Sequence, residues 1–115
     1  AISACEKGGQ WEKAFVLFDE LQQRGLEPDI ITYSTTISAC AKRGQWEKAL
    51  ELLSELQQRG LDPSIVTYNA TISACEKGGQ CEKALELLSD VRRRRLEPDI
   101  ITYSATISAC AKSGQ

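Results

Sequence analysis

The sequence predicts an all-α chain, an α/α solenoid of stacked antiparallel helix pairs, and three observations carry that reading. The chain repeats itself: residues 65–99 match residues 30–64 at roughly two-thirds of positions, and 1–29 and 100–115 are partial copies of the same 35-residue unit. Within each unit apolar residues return at three- and four-residue steps, the spacing of one helix face. A glycine-containing turn in the middle of the unit and a proline near its end recur in register, dividing the unit into two helices. A unit this small encloses no core of its own, so copies bury their apolar faces against their neighbours.

Ala1 to Glu6 reads as the end of a first helix, stopped by the glycines of Lys7-Gly8-Gly9-Gln10. A second helix follows from Trp11 to Gln23, with Trp11, Ala14, Phe15, Phe18 and Leu21 on one side and Glu12, Lys13, Asp19 and Gln22 on the other. Gly25 supplies a left-handed residue to end it, and Pro28 prevents its continuation. Unit 30–64 has a first helix at Thr32 to Ala41 with Tyr33, Ile37 and Cys40 on its apolar face. After a turn at Arg43-Gly44-Gln45, its second helix runs from Trp46 to Gln58 with Ala49, Leu50, Leu53 and Leu56 inward. Unit 65–99 repeats the plan at Thr67 to Lys77 and Cys81 to Arg94, where Tyr68, Ile72 and Cys75 face Ala84, Leu85, Leu88 and Val91. Here Arg95 replaces the helix-ending glycine. Because a side chain at positive φ costs about 1 kcal/mol, this helix is expected to end differently or to fray. The last helix, Thr102 to Lys112, carries Tyr103, Ile107 and Cys110 on a face with no covering partner. Neither end of the chain reads as a polar cap, so the ends are expected to seek something to stack on.

With 42% hydrophobic and 26% charged residues, the composition is that of an ordinary ordered globular chain, and no apolar run approaches the length that crosses a membrane. A formal charge of -2 argues against a general polyanion binder, which needs a basic excess to displace counterions from phosphates. Any nucleic-acid binding must come from local arrangement. The chain opens on AISAC, a stretch that lies inside a helix in later units, so it is expected to be an internal piece of a longer protein. Histidine, the commonest general base, is absent, and the carboxylates fall on solvated helix faces. No enzyme, cofactor or metal site is therefore expected.

Cys5, Cys40, Cys75 and Cys110 occupy one position of the repeat. Equivalent residues of stacked helices lie about 10 Å apart, beyond the reach of a disulfide, so these read as small buried apolar residues. Cys81 instead stands where Trp11 and Trp46 stand in the other units, and those tryptophans read as core. Across the interhelical turn Cys81 could reach Cys75, while the absence of His and of a CxxC spacing leaves no zinc pattern.

On the first helices, helical spacing lines up Ile31, Ser34, Ser38 and Lys42, then Val66, Asn69, Ser73 and Lys77, then Ile101, Ser104, Ser108 and Lys112, in one stripe per unit away from the core. Stacking turns these stripes into a groove of small polar residues with an aliphatic entry and one lysine per rung.

The unit IVTYNATISACEKGGQCEKALELLSDV, closing on LEPD, resembles a pentatricopeptide repeat in four features: the Thr-Tyr-Asn/Ser opening, the Lys-x-Gly-Gln turn, the Glu-Lys-Ala-Leu-Glu-Leu-Leu second helix and the Leu-Glu/Asp-Pro-Asp/Ser ending. The 35-residue period and this ending separate it from the tetratricopeptide repeat. The resemblance covers essentially the whole chain. It implies single-stranded RNA binding at one base per repeat, in mitochondria or plastids, in RNA processing, stability or translation.

By the same resemblance a base is read by the residue after Thr-Tyr together with the residue after the closing proline. Those pairs are Asn69 with Asp99, associated with uridine, and Ser34 with Ser64, outside the well-behaved combinations and leaning weakly to purines. Asp29 and Ser104 are half-pairs. Ile31, Val66 and Ile101 correspond to residues that sandwich bases, and Lys42, Lys77 and Lys112 to phosphate contacts. Without a ligand, Asn69 and Asp99 read as a polar helix start and a cap, the lysines as residues favoured near helix C-termini, and Arg92 to Arg95 as a solvated charge run. The alternative function is a protein-interaction or structural segment of a larger complex, with protein partners or self-association through the uncapped ends. The charge of the groove discriminates the two readings.

Overall fold

The computed structural model describes residues 11–112, and of Trp11 only the backbone. The first partial helix with Cys5, and the turn at residues 7–10, lie outside the described residues. These form six α-helices of 13 residues each and no strand: α1 (Trp11–Gln23), α2 (Ile30–Lys42), α3 (Trp46–Gln58), α4 (Ile65–Lys77), α5 (Cys81–Arg93) and α6 (Ile100–Lys112). The first helices α2, α4 and α6 begin two residues before the threonines that the apolar spacing favoured. A capping residue decides the start in each case: the side chains of Asp29, Ser64 and Asp99 accept the backbone N–H groups of Thr32 at 2.9 Å, Thr67 at 3.4 Å and Thr102 at 3.0 Å.

The first helices stack directly on one another. The backbones of the second helices stay apart, and α1 and α3 touch through long side chains, Gln22 Nε2 donating to Glu55 at 3.4 Å and Lys48 lying over the Phe15 ring. Helix α3 sits in the notch between α2 and α4, and α5 in the notch between α4 and α6. The sequences explain the difference. First helices are built from Ala, Ser, Thr and Cys, which let backbones approach closely, whereas second helices carry leucines that hold their neighbours off. A double layer packed tightly on one side and loosely on the other curves toward the tight side, and this puts the first helices on the concave face of an α/α solenoid.

A notch has two walls, so each second helix buries a wider stripe than the sequence spacing suggested. Leu52 and Leu87 join the core, Leu50 is half-buried, and Leu85 is 46% exposed because no second helix follows α5 among the described residues. Tyr33, Ile37, Tyr68 and Ile72 are fully buried at the centre. The Tyr33 hydroxyl donates to Glu55 at 2.6 Å and ties α2 to its own second helix, while the Tyr68 hydroxyl accepts from Gln57 at 3.3 Å and ties α4 to the second helix of the preceding unit.

The cysteines depart from expectation at one point. Cys40 and Cys75 are buried, and burial pushes their thiols up to about 12 and about 11, out of the reactive range. Cys110, however, is bonded to Cys81, with 4.4 Å between their Cα atoms. The first residue of a second helix lies across the following first helix, not across its own. Trp46 shows this: it is half-buried over Gly78 at the end of α4, where a Cβ on residue 78 would collide with the indole. At the same position one unit later, Cys81 faces α6 and meets Cys110. A reading confined to one unit could offer only Cys75 as a partner, and it also overstated Trp46 as core.

Arg95 does not change the helix end. It adopts φ +61°, beside +78° at Gly25 and +80° at Gly60. The hydrogen bonds closing α5, Arg95 N–H to Arg92 and Leu96 N–H to Val91, both at 3.0 Å, match those of Gly60 and Leu61 closing α3. Leu96 packs against the core and holds Arg95 in this conformation. Arg95→Gly is therefore expected to raise stability by about 1 kcal/mol in urea denaturation; an unchanged or lowered midpoint would mean that the left-handed residue carries no strain.

Candidate nucleic-acid interface

Each residue of the concave face is set by a helix start or a helix end. Ile31, Val66 and Ile101 stand in the first turns of α2, α4 and α6 and are 71%, 63% and 56% exposed, an unusual outlay of apolar surface in the same place three times. Ser34, Asn69 and Ser104 follow one turn later. Lys42, Lys77 and Lys112 close the three helices.

The polar residues are joined across the repeat boundary. Asn69, only 9% exposed, donates from Nδ2 to Asp99 Oδ1 at 3.1 Å, and its Oδ1 accepts from the Thr102 hydroxyl at 2.5 Å. One unit earlier the Ser34 hydroxyl meets Thr67 Oγ1 at 2.8 Å, and Ser64 meets the same Thr67 Oγ1 at 3.2 Å. The paired positions of the sequence reading are thus brought together: Asn69 with Asp99 directly, Ser34 with Ser64 through a threonine. Capping does not compete with pairing here, since Asp99 and Ser64 do both. Asp29 caps α2 through Thr32, and Ser104 is exposed on α6. Sequence reasoning missed the threonines, Thr67 and Thr102. They open every unit as part of Thr-Tyr, and their burial beneath the stripe gave no periodic signal of its own.

Hydrogen bonds, above all from the backbone N–H of Thr102, hold the Asp99 carboxyl below the usual carboxylate range, and Thr32 does the same for Asp29. Both are ionised at neutral pH. The lysines have partners of their own: Lys77 donates to the Lys42 carbonyl at 3.2 Å, satisfying the end of α2, and Lys112 pairs with Glu76. Charge is nonetheless divided between the layers. The three first helices carry three lysines against one glutamate, whereas the three second helices carry nine carboxylates against five cations. With the capping carboxylates Asp29 and Asp99 counted, the three lysines of the inner layer are offset and that layer is close to neutral, while the acidic excess of the chain lies in the outer layer. Between α2 and α4, Ser38, Ser73, Lys42 and Lys77 line a shallow depression of about 230 Å³ that opens on this face. Among the described residues no cluster of His, Cys, Asp or Glu is arranged to hold a metal ion, and no helix is long and apolar enough to cross a membrane.

Family models place this geometry. The pentatricopeptide repeat domain matches residues 16–80, the PPR repeat family residues 63–112, and the PPR repeat residues 1–26. No curated protein sequence matches the chain. Among solved structures, the pentatricopeptide repeat protein PPR10 from maize is 29% identical, with a TM-score of 0.87 over 99% of this chain. PPR10 in complex with an 18-nt psaJ RNA element is 28% identical, with a TM-score of 0.85 over 94% of the chain. In both cases the chain spans 16% of the longer protein's length. Matched by the repeat-domain model over more than half its length and superposing on a solenoid of the same construction, the chain belongs to the pentatricopeptide repeat family.

Proposed function

We propose that this chain is a segment of an array that binds single-stranded RNA in sequence-specific fashion, each rung of the concave face reading one base. The observation that carries the reading is the Asn69–Asp99 hydrogen bond, which joins residues 30 positions apart on the face of the first helices. Exposed Val66 and Ile101 flank the pair and offer apolar faces against which a base can stack. The 18-nt RNA held by PPR10, a protein of the same construction, supports the same class of ligand here. Family resemblance extends the proposal to organellar RNA processing, stability or translation, in mitochondria or plastids, with no catalytic role for this segment. Under this proposal Ser34 with Ser64 and Asn69 with Asp99 are complete reading pairs, and Asp29 and Ser104 are halves of adjoining ones. Ile31, Val66 and Ile101 sandwich bases, and Lys42, Lys77 and Lys112 neutralise phosphate.

The test is Asn69→Thr. Binding is measured with ten-nucleotide RNAs carrying each of the four bases at one position of an otherwise constant strand. A base contact is worth about 1–3 kcal/mol of discrimination, by analogy with side-chain contacts to bases in DNA. The preference at that nucleotide is expected to move from uridine toward guanosine, because a branched hydroxyl replaces the amide while Asp99 remains. Four unchanged affinities in a folded variant would sink base reading at this rung and leave this face to the protein-interaction reading.

A further inference from the structure

A side-chain amide has two different ends, and the end turned to the groove decides which base it accepts. Nitrogen offers two N–H donors and oxygen two lone pairs. In Asn69 the choice is forced. Asp99 is an ionised carboxylate with no proton to give, so the end facing it must be the nitrogen, which donates at 3.1 Å. The oxygen then lies on the side of Thr102, whose Oγ1 is 2.5 Å away. Thr102 is fully buried, and its hydroxyl has a single proton. That hydroxyl also accepts the Asp99 backbone N–H at 3.1 Å and lies 2.9 Å from Asp99 Oδ1, so Asn69 Oδ1 is the nearer of its two acceptors. With the oxygen occupied and one N–H committed to Asp99, the amide has a second N–H left to give.

We infer that Thr102, in the first turn of the following repeat, is a specificity-determining positioning residue: it locks the Asn69 amide so that the rung presents a hydrogen-bond donor to the base. The inference rests on base reading by Asn69. A fixed donor separates the two pyrimidines, since uracil carries an acceptor oxygen at C4 where cytosine carries a donor amino group. The preceding rung supplies the contrast. Ser34, Thr67 and Ser64 are all hydroxyls, each able to donate or accept, so their chain of contacts can run in either direction. Thr67 therefore orients nothing, and that rung separates uracil from cytosine poorly.

The experiment titrates the 115-residue chain with ten-nucleotide oligo(U) and oligo(C) and reads the ratio of the two affinities. The wild type is expected to prefer oligo(U) by about fivefold or more. Thr102→Val keeps the shape of the side chain but removes its proton; Asp99 still holds the nitrogen, but Asn69 Oδ1, no longer held, can swing toward the groove and accept from cytosine, which should bring the ratio close to one. Thr102→Ser keeps the hydroxyl and should keep the ratio, a rescue that loss of packing alone cannot explain. If Asn69→Ala abolishes the preference while a folded Thr102→Val retains it, the inference about Thr102 is overturned and base reading stands. If Asn69→Ala retains the preference as well, both fall. Should Thr102→Val unfold, NMR of the wild type decides. The Thr102 hydroxyl proton is expected to be visible in slow exchange and close to the Asn69 amide, and a hydroxyl exchanging at the solvent rate would overturn the inference.

Discussion

Ile72→Ala is expected to remove about 2–5 kcal/mol of folding stability, the range for deleting a buried branched side chain and leaving a cavity behind. Ile72 is fully buried on α4, the helix that touches α2, α3, α5 and α6, so relaxation around the cavity would have to move elements on every side. Folded domains rest on about 5–15 kcal/mol in total, so urea unfolding should shift to a much lower midpoint. A solenoid adds a second signature. Because stability is shared between neighbouring repeats, loss of the middle one should uncouple the two flanks and broaden the transition. A variant that melts sharply at the wild-type midpoint would show that Ile72 is not where the stack is held.

Reduction of Cys81–Cys110 is expected to have an effect of similar size. The bond closes a loop across a sequence separation of 29 residues, and in the chain-entropy account a loop of that length contributes about 3–4 kcal/mol by restricting the unfolded chain. Unfolding in dithiothreitol should therefore begin at distinctly lower urea than unfolding without it. The Cys81→Ser/Cys110→Ser double variant should behave like the reduced wild type whether or not reductant is present. Coincident curves for oxidised and reduced wild type would remove the bond from the account of stability. Cys40 and Cys75 should not complicate the measurement, since burial holds both thiols protonated at neutral pH.

Most of the helical plan could be read from the chain because its signals are local. Helix spacing, the turn glycines and the prolines before Asp29, Ser64 and Asp99 are all properties of adjacent residues, and each of the six described helices lies where they put it, to within two residues. What could not be read belongs to the contact between units. Along the chain the cysteine nearest Cys81 is Cys75, whereas the fold pairs Cys81 with Cys110 of the next repeat. Leu85 has the sequence of a core residue, yet no helix covers it among the described residues. Arg95 breaks a local rule, yet the burial of Leu96 beyond it enforces the same turn that glycine makes elsewhere. In the candidate site, Asn69 and Asp99 were legible through the family's motif. Thr102 was not, because only the stacking of α6 on α4 brings its hydroxyl to the amide.

Asp99 and Ser64 each start a helix, and each also reaches back to a residue proposed to read a base, Asp99 to Asn69 directly and Ser64 to Ser34 through Thr67. The two duties bind the spelling of such an array to its mechanics. If the residue after the closing proline helps to choose a base, its alphabet is confined to side chains that also cap a helix, essentially Asp, Asn, Ser and Thr, because others cost about 0.5–2 kcal/mol at every boundary. A long array rewritten for a new RNA with arbitrary letters at that position would lose helix starts along its whole length before it lost affinity for any one nucleotide. The number of distinct words such a protein can spell is thus limited by how an α-helix begins as much as by how a base is recognised.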